Sequence, residues 1–128
     1  MSFSSDLKEE LLRIEPENAC CQLAECYGLF LFGRGFSAKD ISISTENKAV
    51  AEKYRYLTER LCLRPATLEH STAKKFRVAV EQRADRLRVL SAFGYDGTER
   101  ARRLNWSNIS DDCCVGAFLR GAFLACGT

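Results

Sequence analysis

Cysteine thiols are the side chains in this sequence best suited to chemistry, because a thiolate is both a nucleophile and a soft metal ligand. The seven cysteines form two adjacent pairs and three single positions: Cys20, Cys21, Cys26, Cys62, Cys113, Cys114 and Cys126. Their number is odd, and no CxxC spacing occurs. Adjacent cysteines rarely bridge each other, since their Cβ vectors diverge along the chain.

Three states of these thiols are compatible with the spacing. Known zinc frameworks place paired ligands two to four residues apart, which the adjacent pairs do not. In a chain without a signal peptide, the pattern favours reduced, metal-free thiols that pack as small hydrophobic side chains. A zinc site formed by the two pairs and a redox switch are the alternatives.

Other catalytic patterns are weak. His70 is the only histidine, and a strand histidine is ordinarily a packed or surface residue unless a thiol lies beside it as a nucleophile. The Gly33-Arg34-Gly35 segment lacks a third glycine and follows a predicted helix, so it is not a dinucleotide-binding loop. We therefore expect no enzyme, no cofactor and no small-molecule substrate.

Composition predicts one soluble domain. The chain has 128 residues, of which 46% are hydrophobic and 28% charged, enough to bury a compact core without metal or disulfide. Nineteen basic and seventeen acidic residues give a net charge of +2, so any DNA contact must come from a local basic patch. The charged N-terminus excludes a signal peptide, and the apolar runs at residues 27–33 and 121–127 are too short to span a membrane. We expect a cytoplasmic protein.

Hydrophobic periodicity predicts helices and strands in alternation. A first helix capped by Ser4 or Ser5 reaches residue 14, and a second, apolar on all sides, runs from about Asn18 until Gly33 or Gly35 ends it. Residues 41–44 alternate as a half-buried strand, and Thr45 or Asn47 starts a helix through residue 61.

The second part of the chain follows a similar pattern. Residues 67–71 and 75–80 form two strands joined by a turn at residues 71–74, and a helix from Ala84 ends at Gly94. A polar loop over residues 95–110 then leads to a last helix from Asp111 to the end.

The two apolar helices are copies of each other. CCQLA at residues 20–24 matches CCVGA at residues 113–117 in the cysteines and the alanine, and the glycine, phenylalanine and leucine further along also match. In each copy an alanine lies four residues before the glycine and on the same helix face. We therefore expect the two helices to approach closely through Ala24, Gly28, Ala117 and Gly121.

Two close-packed helices with strand pairs between them resemble the LAGLIDADG fold. MSFS at residues 1–4, KEEL at residues 8–11, the CCxxA segment, TEN at residues 45–47 and CCVGAFLRGAFLACGT at residues 113–128 resemble the WhiA family of bacterial sporulation and cell-division regulators. The resemblance covers nearly the whole chain. It implies an α+β fold of the degenerate homing-endonuclease type, with an αββαββα half-domain followed by the first helix of a second half.

The resemblance also implies a domain division and a DNA-binding role. Residues 1–17 form an N-terminal helix, residues 18–108 the first half-domain, and residues 109–128 the first helix of a truncated second half. The family's C-terminal helix-turn-helix is expected beyond this chain. Arg34 stands where the second copy has Gly127, and the first strand region is short, which leaves the strand count of the first half open.

Nuclease chemistry should be missing. LAGLIDADG nucleases hold divalent metal with an acidic residue at the end of each central helix. The equivalent positions here are Gly33 with Arg34 and Cys126 with Gly127, which offer no carboxylate.

Two non-catalytic functions remain. In the first, a sheet face carrying Lys75 and Arg77, helped by Lys74 and Arg34, lies along DNA phosphates; the same lysines are also typical of a solvated strand edge. In the second, the fold is a scaffold for dimerisation or another protein. We expect a homodimer, because Phe118, Ala122 and Ala125 of the last helix lack the sheet that would cover them.

Overall fold

The computed structural model describes residues 3–13, 18–70, 74–95, 104–109 and 111–126. Its helices and strands follow the order α1 (Phe3–Leu12), α2 (Ala19–Leu31), β1 (Gly35–Phe36), β2 (Ile41–Thr45), α3 (Lys48–Leu61), β3 (Thr67–His70), β4 (Phe76–Ala79), α4 (Arg83–Ala92) and α5 (Asp112–Cys126). A 3-10 turn at Trp106–Asn108 precedes α5. The predicted α+β class is confirmed, and the order from α2 to α4 is αββαββα.

The strands form one antiparallel sheet in the order β1-β2-β4-β3. Residues directly opposite each other in such a sheet point to the same face. Phe36 lies opposite Ile41, and its ring stacks on Phe30 of α2 with centroids 5.3 Å apart. The face that carries Ile41, Ile43 and Val78 therefore forms the core, and the other face carries Ser44 and Arg77.

The predicted strand at residues 41–44 is confirmed as β2, but the expectation that it is half-buried was wrong. Ser42 is fully buried, as are Ile41 and Ile43, and its cross-strand neighbours on both sides, Gly35 and Ala79, are buried as well. The two-residue strand β1 is the hairpin partner that the sequence left open. The described part of the first half-domain thus has four strands, two before α3 and two after it.

Local sequence signals account for α3 and α4. Asn47 caps α3 through its side-chain oxygen, which accepts from the backbone N–H groups of Ala49 and Val50 at 3.0 and 3.3 Å. Gly94 follows α4 with a φ of +85°, the left-handed conformation that glycine adopts at a helix end. Both helices lie where the periodicity predicted them.

The ends of α1 and α2 differ from the prediction. Helix α1 begins at Phe3, so Ser4 and Ser5 occupy positions within its first turn rather than the predicted N-cap position. Helix α2 ends at Leu31, two residues before Gly33. A Cβ added at Gly33 would lie 2.9 Å from the Ser42 carbonyl oxygen, so this glycine permits the chain to pass close to β2. Of the predicted turn at residues 71–74, residues 71–73 lie outside the described residues.

Aromatic rings around α2 form the centre of the core. Tyr27 stacks on Phe93 with ring centroids 5.6 Å apart. Its hydroxyl lies 2.5 Å from that of Tyr95 and accepts from the backbone N–H of Asn105 at 2.6 Å. The Asn105 and Asn108 side chains both donate to the Phe93 carbonyl. The segment before α5 is therefore held against α2 and the end of α4.

No helix in the described part of the chain is long and apolar enough to cross a membrane.

Candidate metal centre and nucleic-acid interface

Helices α2 and α5 run parallel and are the most closely packed pair of elements in the described structure. Cys21 meets Cys113 near the N-terminal ends of both helices, and Gly28 meets the backbone of Phe118 and Ala122 farther along. Corresponding positions of the sequence repeat therefore lie side by side.

Of the four small residues expected at this contact, Gly28 and Gly121 lie in it. Ala24 and Ala117 are buried. A Cβ added at Gly28 would overlap the Phe118 carbonyl oxygen, and one added at Gly121 would overlap the Glu25 carbonyl oxygen. Since the obstacle is backbone in both cases, neither position accepts a side chain at this separation of the helices.

The parallel arrangement brings the two cysteine pairs together. The Sγ atoms of Cys20, Cys21, Cys113 and Cys114 all lie within 4.8 Å of one another. Cys21 and Cys114 are buried, Cys20 is partly exposed and Cys113 is exposed. We call these four residues the cysteine cluster. The cluster lies between the first turns of two helices, where backbone N–H groups favour thiolates.

Ionisation of the cluster is uneven. Hydrogen bonding with Cys114 and desolvation raise the pKa of Cys20 to about 11, and hydrogen bonding with Cys113 and desolvation raise the pKa of Cys21 to about 12. Desolvation also opposes ionisation of Cys114, but hydrogen bonds from the Asp111 backbone and the neighbouring thiols outweigh it and lower the pKa of Cys114. Cys114 therefore ionises before Cys20 and Cys21.

Two further cysteines have a different environment. Cys26 is fully buried, and burial raises its pKa well above the ordinary value. Burial also raises the pKa of Cys62 to about 12. Both thiols fit the expectation of small hydrophobic side chains. The side chain of Cys126 lies outside the described part.

A buried carboxylate that the sequence prediction missed lies one turn below the cluster. Glu25 has no exposed side-chain surface, and its Oε1 lies 2.5 Å from Lys53 Nζ and 3.4 Å from Arg120 Nε. The two cations are 15% and 14% exposed. This ion triad joins α2, α3 and α5. Glu25 and Arg120 are each a lone charged residue within an apolar repeat. This isolation is the sequence signal from which their pairing could have been predicted.

The four cations predicted to contact DNA do not all lie together. Lys74 and Lys75 are exposed just before β4, and Arg77 lies on β4 on the face away from the core. Arg34 is exposed beside the other edge of the sheet, where its backbone N–H donates to Ser42 at 2.9 Å. The structure thus groups three of the cations at one end of β4 and separates the fourth.

Acidic neighbours weaken the field of this group. Arg77 Nη1 lies 3.3 Å from Glu81 Oε1, and Glu69 is directly opposite Arg77 on β3. An exposed ion pair of this kind contributes little to stability and can open when a phosphate approaches.

The prediction that Phe118 and Ala122 lie on an uncovered face of α5 was wrong. Ala122 is buried against Gly28, and Phe118 packs on Tyr27 with ring centroids 5.7 Å apart. The exposed apolar side chains of α5 are instead Val115 and Leu119, which are 44% and 59% exposed and one turn apart. The tight crossing rotates α5 so that its small residues, rather than its branched ones, meet α2.

Comparison with known proteins finds relatives that carry the same name in different bacteria. The chain is 34% identical over 137 residues to a probable cell division protein WhiA of Carboxydothermus hydrogenoformans, 32% over 143 residues to that of Heliobacterium modesticaldum, and 30% over 142 residues to that of Macrococcus caseolyticus. Each alignment covers 100% of this chain and 43% or 44% of the relative. No family model and no solved structure matches.

The fold and the site define an α+β domain in which two copies of one helix pack in parallel through glycines. The similarity to the curated relatives extends from the first residue of the chain to the last. The chain is similar over its whole length to WhiA proteins, and it spans less than half of the length of these relatives.

Proposed function

We propose that this chain is a non-catalytic, LAGLIDADG-like module of a bacterial DNA-binding regulator of cell division or sporulation. In this proposal it contacts DNA phosphates with the end of β4. Two observations support the LAGLIDADG assignment: the αββαββα order from α2 to α4, and the parallel packing of the repeated helices through Gly28 and Gly121.

The DNA contact depends on one observation, the convergence of Lys74, Lys75 and Arg77 at an exposed end of the sheet. Arg77 lies on the face opposite the core, and Lys75 is exposed two residues earlier, just before β4 begins. Phosphate contacts of this kind position a protein on DNA and carry no sequence information. Because Glu69 and Glu81 lie beside them, the module contributes orientation more than affinity.

The absence of catalysis is proposed from the two helix ends. Phe32, Gly33 and Arg34 follow α2, and Gly127 follows Cys126 in the sequence. None of these offers the carboxylate oxygen that a hard divalent cation requires beside a scissile phosphate.

A salt series of DNA binding tests the proposal. Fluorescence anisotropy with a labelled duplex of arbitrary sequence should show an affinity that falls steeply with salt. Joint substitution of Lys74, Lys75 and Arg77 by Ala should weaken binding and reduce the slope of log K against log salt by up to about 3, since each lost phosphate contact removes about 0.9.

The matched control removes the same charge elsewhere. Lys39, Arg55 and Arg60 are exposed and lie off β4, so their joint substitution by Ala should leave the slope nearly unchanged. Equal effects of the two triple variants would mean that net charge alone drives binding.

The second candidate is a dimerisation or protein-interaction scaffold, with DNA binding confined to a helix-turn-helix outside this chain. Exposed Val115 and Leu119 on α5 favour it. Binding that is absent at low salt, or that does not respond to salt, would support the scaffold and refute the phosphate contact.

A further inference from the structure

We propose that the cysteine cluster is a zinc site in which Cys20, Cys21, Cys113 and Cys114 each supply one thiolate. The proposal does not depend on DNA binding, and it revises the expectation of metal-free thiols. That expectation was based on the spacing of the cysteines along the sequence, but a metal site depends on the distances between its ligand atoms in the folded chain.

The sulfur geometry fits a single tetrahedral ion. Four thiolates at the usual zinc–sulfur distance of about 2.3 Å are separated from one another by roughly 3.8 Å. Here all four Sγ atoms lie within 4.8 Å of one another, and those of Cys21 and Cys113 are 3.3 Å apart. Shifts of less than about an ångström, available to side-chain rotation, convert this arrangement into a tetrahedron.

Ligand type and geometry together select a soft ion in tetrahedral coordination, and zinc is the ion proposed for the site. Four soft thiolates without an oxygen or nitrogen ligand exclude magnesium and calcium as ions of choice. An iron–sulfur cluster places several irons and sulfides between its cysteines and needs the Sγ atoms farther apart. Four protein ligands fill the zinc shell and leave no open position, which is the arrangement of a structural site.

Both helix ends stabilise the charge of such a site. The cysteines occupy the first turns of α2 and α5, and the two parallel helices direct their positive ends at the cluster. The Asn18 side chain makes no capping bond to α2, and the Cys21 backbone N–H donates to the Asn18 carbonyl oxygen at 3.1 Å. Asp111 opposes the effect of the helix ends, because its Oδ2 lies 3.7 Å from Cys20 Sγ.

Binding is a proton exchange without any redox change. Each thiol that is protonated beforehand releases one proton as its sulfur bonds to Zn²⁺, and four thiolates with one zinc leave a net charge of −2 at the site. A disulfide between Cys21 and Cys113 would instead need an external oxidant, and 3.3 Å is well beyond the S–S bond length of about 2.05 Å.

The test uses the full chain, reduced, stripped of metal with a chelator and then supplied with one equivalent of Zn²⁺. We expect one zinc per chain, four sulfur scatterers at about 2.3 Å by X-ray absorption, proton release on binding and a higher melting temperature. Co²⁺ in place of Zn²⁺ should give intense thiolate charge-transfer and tetrahedral d–d absorption, a readout that needs no variant.

Variants then locate the ion. Cys21→Ser with Cys113→Ser should abolish stoichiometric zinc while the far-ultraviolet circular dichroism stays native, and Cys62→Ser, outside the cluster, should keep it. The proposal is wrong if the reduced wild-type chain takes up neither Zn²⁺ nor Co²⁺, or if the purified protein carries an iron–sulfur chromophore. Retention of zinc by the double variant would also refute it.

Discussion

Glu25 is the residue that depends most on compensating charge from its neighbours. A carboxylate without exposed surface is tolerated only with compensating charge, which Lys53 and Arg120 supply from two other helices. Glu25→Gln keeps the shape but leaves both cations without an anion. We expect it to lower the free energy of unfolding by about 3–5 kcal/mol, measured by urea denaturation.

The matched control is Glu52→Gln. Glu52 pairs with Lys48 at 3.8 Å on the surface of α3, where both side chains are more than half exposed. Its loss should change the stability by less than about 1 kcal/mol. A Glu25→Gln variant as stable as the Glu52→Gln variant would mean that the triad contributes nothing.

Single residues were predictable from the sequence only where the signal is local. Asn47 and Gly94 act through backbone groups a few positions away, so their types and places were sufficient. The pairing of Glu25 with Lys53 and the meeting of Cys21 with Cys113 join distant helices. Neither follows from spacing along one helix, because both depend on how the helices pack.

At the scale of elements, the α2–α5 crossing gives the sharpest prediction. An Ala at Gly121 would force its methyl group against the Glu25 carbonyl oxygen. The helices would have to separate, which costs about 1–3 kcal/mol and exceeds the gain of up to about 1 kcal/mol in helix propensity. We expect Gly121→Ala to lower the melting temperature.

Gly116 in the same helix is the control. A Cβ added there meets nothing within 4 Å, so Gly116→Ala should gain helix propensity and raise the free energy of unfolding by up to about 1 kcal/mol. Thermal unfolding of the two variants side by side makes the comparison. If Gly121→Ala were also stabilising, the close crossing of the helices would be incorrect.

Most elements could be predicted from the sequence, and the failures have a common cause. The hydrophobic periodicity of α3, α4 and α5 arises because each helix is buried on one side. This pattern is visible within the sequence of the single helix. Strand β1 has two residues, too few to show a periodicity, and the burial of Ser42 beside Gly35 and Ala79 cannot be deduced from the pattern of β2 alone. The rotation of α5 likewise depends on its contact with α2.

At the scale of the whole molecule, the exposed side of α5 bears on self-association. Val115 and Leu119 are one turn apart and exposed, and Phe32, 45% exposed, contacts the ring of the neighbouring Phe118. Exposed apolar side chains one turn apart on a helix can form an association surface, and a twofold axis would place the same surface on itself. We therefore predict that this chain forms a dimer through the outer side of α5.

Light scattering at several concentrations measures this association. The wild-type chain should approach twice the monomer mass as concentration rises, and Leu119→Glu should shift it to monomer, because a dimer would bury two carboxylates without partners. Leu63→Glu is the control, since Leu63 is 78% exposed on another part of the surface and should leave the dimer intact. A wild-type chain that stays monomeric at the highest concentration would contradict the prediction. It would also weaken the scaffold alternative, because the patch on α5 would then have no partner in a second copy.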